Sequence, residues 1–287
     1  MQTQTTVVAD AGSTKISWGV CRPNYASEVV TTAGFNAVTA RSEDFCKLYE
    51  LCVEAVSETG LPALTVEEVH YYGAGCATAA VNASVASALR CVFPNAELYV
   101  GSDLEGAARA LLGQSDGIAC ILGTGSNSCL WRGGSIEANV PPLGYILGDE
   151  GSGASLGRRL VREALRGALG QRCRDELERD FGVTREVTLQ RVYRSPGGNV
   201  WLASLVPFLG RHRNSLAIQR ILADEFGAFL DNNVALYNDA SLNMPVGFVG
   251  SVAHFFEVEL RAAMAERGYR LARIVRSPID ALLSSRR

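Results

Sequence analysis

Short apolar runs separated by Gly-rich turns fill the first part of the chain and predict β-strands. Apolar runs at residues 7–9, 16–21 and 28–32 predict three consecutive strands, which we expect to form an antiparallel meander. Helical spacing then follows at residues 43–58 and 78–92 and in a segment ending at Leu112, with strands predicted at residues 68–72 and 97–100. The predicted order is three strands, then helix, strand, helix, strand, helix.

The same order of elements begins again near residue 116. Strands are predicted at residues 118–122, 128–131 and 135–138, helices at 156–169, 175–181, 204–209 and 218–237, and further strands at 245–249 and 271–275, separated by a helix that extends to residue 265. This repeat of architecture predicts an α/β protein with two mixed-sheet lobes, residues 1–115 and 116–287, and a ligand cleft between them.

Composition narrows the class of protein. The 287 residues are 47% apolar and 20% charged, as expected of a folded globular chain, and 27 basic residues against 30 acidic ones give no reason to expect nucleic acid or an anionic membrane as a partner. No leader pattern or membrane-length apolar run is seen, so we expect a cytoplasmic protein. The eight cysteines form no CxxC pair, and we predict reduced, buried thiols.

The first Gly-rich turn, DAGSTK at residues 10–15, carries groups suited to phosphate and metal. Gly12 lets the backbone approach a ligand, Ser13 and Thr14 offer donors to phosphate oxygens, and Lys15 can face phosphate or solvent. Asp10 ends a strand and can bind Mg²⁺ directly or through water. An ordinary hairpin turn explains the same residues, so both interpretations stay open at this point.

Two further turns have comparable features. Residues 123–128 (GTGSNS) predict a phosphate cradle without a helix N-terminus, built on Gly123, Thr124, Gly125 and Ser126, although a tight hairpin also explains the glycines. In residues 247–253 (GFVGSVA), small residues at Gly247, Gly250 and Ser251 would let an adenosine lie against the backbone, or a strand pack closely on a helix. Neither a Walker A sequence nor GxGxxG is present, so any nucleotide binds in another manner.

Polar residues elsewhere suggest an acceptor site for a hydroxyl compound. Asp103 follows a strand and precedes a helix, where it can act as a general base or as a helix N-cap; in isolation the cap is the stronger interpretation. Asp149 and Glu150 can bond polyol hydroxyls or cap the next helix, and Asn36 can do likewise or serve only as a turn residue. We also assign Asn127 and Gly144 to the substrate site. Four arginines, Arg158, Arg159, Arg162 and Arg166, predict a solvated helix face.

Five motifs in order resemble those of the N-acetylglucosamine kinases within the BadF/BadG/BcrA/BcrD ATPase family. They are DAGSTKISW, SDLEGA, GTGSNS, LGDEGSG and GFVGSVA, beginning at residues 10, 102, 123, 147 and 247. The resemblance covers nearly the whole chain and implies the two-lobed actin-like (ribonuclease H-like) ATPase fold, MgATP as phosphoryl donor and an amino sugar as acceptor. It also implies a homodimer. One departure is Pro142-Leu143, where relatives often carry Gly-Trp.

The same resemblance implies roles for individual residues. Residues 10–15 and 123–126 match the two phosphate motifs, residues 247–251 match the adenosine motif, and Asp103 matches the catalytic base. Asn36 and Asp149 match sugar-contacting positions. We therefore predict direct in-line phosphorylation of N-acetylglucosamine at its 6-hydroxyl, with glucosamine and N-acetylmuramic acid as alternative acceptors.

Two other functions fit the same fold. One is an ATPase activator of 2-hydroxyacyl-CoA dehydratases or benzoyl-CoA reductases, a class that holds an iron–sulfur cluster through cysteines; residues 149–153 of this chain lack cysteine in the comparable region. The other is a sugar sensor without turnover, which the presence of both Asp10 and Asp103 disfavours.

Overall fold

The computed structural model describes residues 4–38 and 40–285. The chain divides into two compact units: unit 1 comprises Met1–Gly113 together with Ser277–Arg287, and unit 2 comprises Gln114–Arg276. The sequence-based division placed everything after residue 115 in the second lobe. In the structure the segment that begins at Ser277 instead belongs to unit 1.

Unit 1 is built on a five-stranded mixed sheet with the order β3-β2-β1-β4-β5. The strands are β1 (Thr6–Ala11), β2 (Lys15–Cys21), β3 (Glu28–Ala33), β4 (Glu68–Gly73) and β5 (Glu97–Ser102). The first three are antiparallel neighbours, as the sequence predicts, whereas β1, β4 and β5 run parallel. The carboxyl ends of these three parallel strands therefore lie at one edge of the sheet, which is where open α/β sheets usually bind ligands.

Helices cover both faces of this sheet: α1 (Phe45–Thr59), α2 (Ala79–Val92), α3 (Asp103–Leu112) and a C-terminal helix, α14 (Ile279–Ser284). Alternate residues of β1 point to opposite faces, so Val7 and Ala9 pack in the core under α1 and α2, while Val8 packs with α3 and α14. Both faces of the central strand are thereby buried, which explains its continuous apolar run.

The C-terminal helix is an integral part of the unit 1 core. Leu283 is 3% exposed, and its Cδ atoms lie 2.7 Å from where a Cβ on Gly19 of β2 would stand. We expect Leu283→Ala to lower the free energy of unfolding by about 2–4 kcal/mol, because it removes a buried side chain and leaves a cavity. Urea denaturation measures this. Leu216→Ala, at a site 83% exposed, is the control; equal effects of the two substitutions would contradict the assignment.

Unit 2 repeats the architecture of unit 1. Its sheet has the order β10-β9-β6-β7-β8, with strands β6 (Gly117–Leu122), β7 (Ser126–Arg132), β8 (Ser135–Ala138), β9 (Val246–Val249) and β10 (Leu271–Val275). Three strands, β6, β7 and β8, are antiparallel neighbours, as β1, β2 and β3 are in unit 1. The strands β6, β9 and β10 run parallel, as β1, β4 and β5 do. The predicted repeat of architecture is confirmed.

Ten α-helices lie in the described part of unit 2: α4 (Gly144–Leu147), α5 (Gly153–Leu165), α6 (Gln171–Phe181), α7 (Arg185–Tyr193), α8 (Gly198–Ala203), α9 (Val206–Arg211), α10 (Leu216–Asn232), α11 (Asp239–Asn243), α12 (Ser251–Phe255) and α13 (Glu257–Glu266). The prediction missed α7 because none of its residues is buried, so the apolar period that signals a helix is absent. It also joined α12 and α13 into one helix.

The structure bears on the burial of the cysteines and on the presence of membrane-length helices. Five of the eight cysteines are buried, as predicted, whereas Cys46 and Cys91 are exposed and Cys173 is intermediate, so the prediction of buried thiols is wrong for these three. Among the described residues, no helix has the length and apolar character needed to cross a bilayer.

Candidate active site

In unit 1, Asp10 and Asp103 lie at the carboxyl edge of the parallel strands. Asp10 is the penultimate residue of β1 and is in register with Tyr72 of β4, which pairs with Gly101 of β5; Asp103 follows directly after β5. Burial, and secondarily the charge of Asp103, raises the pKa of Asp10 from 3.8 to about 6. Burial also raises the pKa of Asp103, against an opposing hydrogen bond from the Leu104 N–H at 2.9 Å. Two desolvated carboxyl groups thus share one edge of the sheet.

The N-cap of α3 is Ser102, so the capping alternative for Asp103 is wrong. The Glu105 N–H donates to Ser102 Oγ at 3.1 Å, and Asp103 occupies the first helical position. A carboxylate there is stabilised by the helix dipole without serving as the cap. The Asp103 carboxylate therefore does not serve as the cap of this helix.

The first turn forms a compact platform beside Asp10. The Gly12 N–H donates to the Lys15 carbonyl at 2.9 Å, and Ser13, Thr14 and Lys15 are exposed. Gly34 lies so close that a Cβ there would stand 2.4 Å from the Ser13 carbonyl carbon. The loop after β3 therefore packs directly on the turn.

Asn36 is joined to this turn by its side chain. Its Nδ2 donates to Ser13 Oγ at 2.9 Å, and its Oδ1 accepts the Val38 N–H at 3.1 Å. The structure thus brings together the unit 1 residues predicted for metal, phosphate and sugar.

Ser277 is a residue that sequence reasoning missed. Its hydroxyl donates to Asp10 Oδ2 at 3.3 Å, from the segment that returns to unit 1. No local pattern signals a contact across 267 positions of sequence. Ser277 thus favours the charged form of Asp10, against the larger effect of burial.

The raised pKa of Asp10 predicts a pH-dependent stability effect. The folded state binds this proton more tightly than the unfolded chain, so the carboxylate destabilises the fold increasingly as pH rises from 3.8 to 6. We expect Asp10→Asn to raise the free energy of unfolding of the ligand-free protein by about 1–2 kcal/mol at pH 7, with the gain vanishing near pH 4. Denaturant titrations at both pH values measure this.

The control for that experiment is Asp280→Asn, at an exposed aspartate of the same unit, which should change stability little at either pH. An Asp10→Asn protein less stable than wild type at pH 7 would contradict the assignment of a destabilising charge.

In unit 2, the turn between β6 and β7 is closed by the Gly123 N–H, which donates to the Gly125 carbonyl at 3.0 Å. The cradle is predicted to lack a helix N-terminus, and the helix amides nearest this turn are already paired with its carbonyls. The first amides of α5 reach the turn: the Gly153 N–H donates to the Gly123 carbonyl at 2.8 Å and the Ala154 N–H to the Thr124 carbonyl at 3.0 Å. These amides are used to hold the turn in shape.

Asp149 lies against this turn. It adopts a left-handed backbone conformation (φ 57°), and its Oδ1 accepts the Ser126 N–H at 3.4 Å. Its Oδ2 lies 3.1 Å from where a Cβ on Gly125 would stand. Burial raises the pKa of Asp149, and the Ser126 N–H opposes that shift. This residue, predicted for the substrate, therefore lies beside the second turn that is predicted for phosphate.

The N-cap of α5 is Ser152, whose Oγ accepts the Ser155 N–H at 3.2 Å. The capping alternative for Asp149 and Glu150 is therefore wrong. Glu150 instead accepts a hydrogen bond from Asn232 Nδ2 at 3.4 Å. Gly144 begins α4 with φ 72°, and no atom of the described residues outside its chain neighbours lies within 4 Å of where its Cβ would stand.

Two of the arginines predicted to be solvated hold the structure around the site. Arg158 donates to the Tyr145 carbonyl, to the Ile146 carbonyl at 3.2 Å and to Ser155 Oγ at 3.0 Å, so it anchors the short helix α4 that precedes Asp149. Arg159 pairs with Glu163 and Asp224. The prediction is wrong for these two, whereas Arg162 and Arg166 are exposed as expected.

The third turn adjoins the second. Gly250 follows β9 with φ 130°, and a Cβ there would stand 2.2 Å from the Leu122 carbonyl oxygen at the end of β6. Gly247 lies within β9, paired with Ala119, and Ser251 begins α12 with its side chain exposed. Only a glycine permits the two turns to approach this closely, so the residues predicted for nucleotide in unit 2 are brought together.

The donor sets fit the groups that the sequence implies. A desolvated carboxylate such as Asp10 is the kind of oxygen ligand that Mg²⁺ takes, and a cation there would offset the charge repulsion with Asp103. The exposed hydroxyls of Ser13 and Thr14 suit phosphate oxygens.

Comparison with solved structures decides the family. A provisionally assigned N-acetylglucosamine kinase from Porphyromonas gingivalis superposes with a TM-score of 0.91 and 38% sequence identity, covering 97% of each chain. This chain belongs to the N-acetylglucosamine kinase family. It therefore falls in the enzyme class of sugar kinases and has the predicted actin-like ATPase fold.

More distant structures share only the fold. A provisionally assigned N-acetylglucosamine kinase from Chromobacterium violaceum has a TM-score of 0.78 at 18% identity, covering 99% of both chains. Component A of (R)-2-hydroxyglutaryl-CoA dehydratase from Acidaminococcus fermentans has a TM-score of 0.50 at 14% identity, covering 99% of this chain and 95% of that one. No family model and no curated protein sequence matches the chain.

Proposed function

We propose that this protein transfers the γ-phosphoryl group of MgATP to the 6-hydroxyl of N-acetylglucosamine. The observation that carries the proposal is the 38% identity to the Porphyromonas protein over 97% of both chains.

Asp103 is the proposed general base. It would accept the proton of the sugar hydroxyl as the oxygen attacks phosphorus, and its pKa, raised by burial, brings it closer to working pH than an ordinary aspartate. Its place at the first position of α3 fixes the carboxylate to a rigid element. The backbone hydrogen bond from Leu104 further limits its rotation.

Asp10 and the turn at Gly12, Ser13, Thr14 and Lys15 are proposed to hold the metal and phosphate side in unit 1. Mg²⁺ bound at Asp10 would supply positive charge that neutralises the phosphate oxygens during transfer. The chain's own contribution is to orient the Asp10 carboxylate, through Ser277, and to present hydroxyl and amide donors from the exposed turn.

Unit 2 is proposed to bind the rest of the nucleotide and part of the sugar. Gly123, Thr124, Gly125 and Ser126 would hold phosphate, and Gly247, Gly250 and Ser251 the adenosine. Asn36 of unit 1 and Asn127, Gly144, Asp149 and Glu150 of unit 2 would contact the sugar. The hydrogen bond from the Ser126 N–H to Asp149 supports this scheme, because the carboxylate proposed to contact the sugar lies next to the turn proposed to hold phosphate.

Other proposals follow from the family. Glucosamine and N-acetylmuramic acid are the nearest alternative acceptors, and we propose a cytoplasmic homodimer. The activator and the sensor remain rivals: the dehydratase component shares only the fold at 14% identity, and the two desolvated carboxyl groups favour a working enzyme over a sensor.

The proposal is tested by coupled ADP release with MgATP against N-acetylglucosamine, glucosamine, N-acetylmuramic acid, N-acetylmannosamine and glucose. We expect the highest kcat/KM with N-acetylglucosamine and loss of turnover when EDTA removes the metal. Slow ATP hydrolysis that no sugar stimulates would instead favour the activator, and iron content after anaerobic purification would then decide.

A further inference from the structure

We propose that Asn139 and Tyr237 are positioning residues that hold the Asn127 amide with its nitrogen free to donate a hydrogen bond to an acceptor oxygen of the sugar. This inference rests on the proposed function, because it takes Asn127 to contact the sugar. All three residues lie in unit 2.

The orientation of the Asn127 amide is set by a group whose role cannot change. The Ser128 N–H donates to Asn127 Oδ1 at 2.9 Å, and a backbone N–H can only donate, so the atom facing it is the oxygen. Asn139 Nδ2 donates to the same oxygen at 3.0 Å. No described residue accepts a hydrogen bond from Asn127 Nδ2, so this nitrogen is available to a ligand.

The orientation of Asn139 is fixed in the same way. Its Nδ2 lies 2.6 Å from the Ser128 carbonyl oxygen and 3.0 Å from the Val140 carbonyl oxygen, and carbonyls can only accept. Asn139 directly follows β8 (Ser135–Ala138), so one side chain joins the end of this strand to the start of β7. Its amide nitrogen therefore faces the Asn127 oxygen and cannot be exchanged with its own oxygen without losing these bonds.

Tyr237 holds both backbone segments that Asn139 contacts. Its hydroxyl lies 2.8 Å from Ser128 Oγ and accepts the Val140 N–H at 3.1 Å. Tyr237 is 8% exposed, and burial raises its pKa to about 12, so the hydroxyl stays neutral and able to accept at working pH. The network thus runs from a buried tyrosine through Ser128 and Val140 to Asn139 and the Asn127 amide.

The chemical consequence is that Asn127 should prefer a sugar group that accepts a hydrogen bond. A nitrogen held as a donor pairs with a hydroxyl or carbonyl oxygen and disfavours an ammonium, which can only donate. If Asn139 is removed, Asn127 Oδ1 keeps the Ser128 N–H but loses its second donor, so the amide is held in this orientation less firmly. The sugar would then lose binding, while the nucleotide would not.

The test compares Asn139→Ala and Asn127→Asp in steady-state kinetics. We expect Asn139→Ala to raise the KM for N-acetylglucosamine about 5–20-fold, with kcat and the KM for MgATP within about 2-fold of wild type. Asn127→Asp keeps an oxygen facing Ser128 and Asn139 but replaces the outward donor with an acceptor, so we expect kcat/KM for the sugar to fall about 100-fold. Tyr237→Phe should raise the sugar KM about 2–5-fold.

The control is Asn95→Ala, which removes a comparable amide-to-carbonyl bond, to Leu64 at 3.0 Å, in unit 1. Thermal unfolding of every variant separates misfolding from altered kinetics. An unchanged sugar KM in folded Asn139→Ala, or an equal rise in the KM for MgATP, would overturn this inference alone. A wild-type protein inactive with every sugar would instead overturn the proposed function, and this inference with it.

Discussion

Asp103→Asn is expected to lower kcat for sugar phosphorylation by about 10²–10⁴-fold, the usual contribution of a general base. The substitution keeps the shape of the side chain and removes its capacity to take a proton. Because the N-cap of α3 is Ser102, the helix should survive the change. The free energy of unfolding should stay equal or rise, since a desolvated charge is lost.

The measurement is kcat by coupled ADP release, together with a denaturation curve. Asp280→Asn is the matched control, because Asp280 is also a first-turn aspartate in unit 1 but is exposed. Its kcat should remain within about 2-fold of wild type. A kcat for Asp103→Asn within about 3-fold of wild type would remove Asp103 from the role of base.

Gly250→Ala is expected to cost about 3–6 kcal/mol of folding stability, or to shift the end of β6 and abolish nucleotide binding. The backbone at Gly250 has φ 130°, which strains any side chain, and the added Cβ would stand 2.2 Å from the Leu122 carbonyl oxygen. Leu122 precedes the second phosphate turn, so relief of the clash must displace Gly123 and its neighbours.

Gly268→Ala separates the effect of backbone strain at a positive φ from the effect of the clash with the Leu122 carbonyl. Gly268 also has a positive φ, 72°, but no atom of the described residues outside its chain neighbours lies within 4 Å of where its Cβ would be, so its substitution should cost only about 1 kcal/mol. Urea denaturation and titration with ATP measure both quantities. If Gly250→Ala were no more disruptive than Gly268→Ala and bound ATP normally, the two turns would not be packed as described.

Most of the strand order could be predicted from the sequence, because the strands of this fold are short, apolar and followed by glycines. The repeat of strand, turn, strand, strand is visible at residues 7–32 and again at residues 118–138. The first α-helices of unit 1 were predicted for the same reason, since α1 and α2 each bury one face. In contrast, α7 has no buried residue and so lacks a strongly apolar face to detect.

Local motifs also identified the candidate residues, but not the contacts that position them. Asp10 follows an apolar strand and could be found from its neighbours, whereas Ser277 reaches it from 267 residues away. Tyr237 reaches Ser128 across 109 residues. Such partners are set by tertiary packing.

Competing local interpretations were likewise settled only by geometry. Serine and aspartate are both good N-caps, so neither Ser102 against Asp103 nor Ser152 against Asp149 could be decided from residue type. In both places the serine caps the helix and leaves the aspartate's acid group available. Neither of the two predicted site carboxylates is therefore used as a helix cap.

The most direct test of the central claim is the identity of the product. Purified protein, MgATP and N-acetylglucosamine would be incubated together and analysed by ³¹P and ¹H NMR. We predict N-acetylglucosamine 6-phosphate in an amount equal to the ADP formed, and none with Asp103→Asn over the same time. Formation of ADP with only inorganic phosphate, at a rate independent of the sugar, would contradict the assignment of this protein as a sugar kinase.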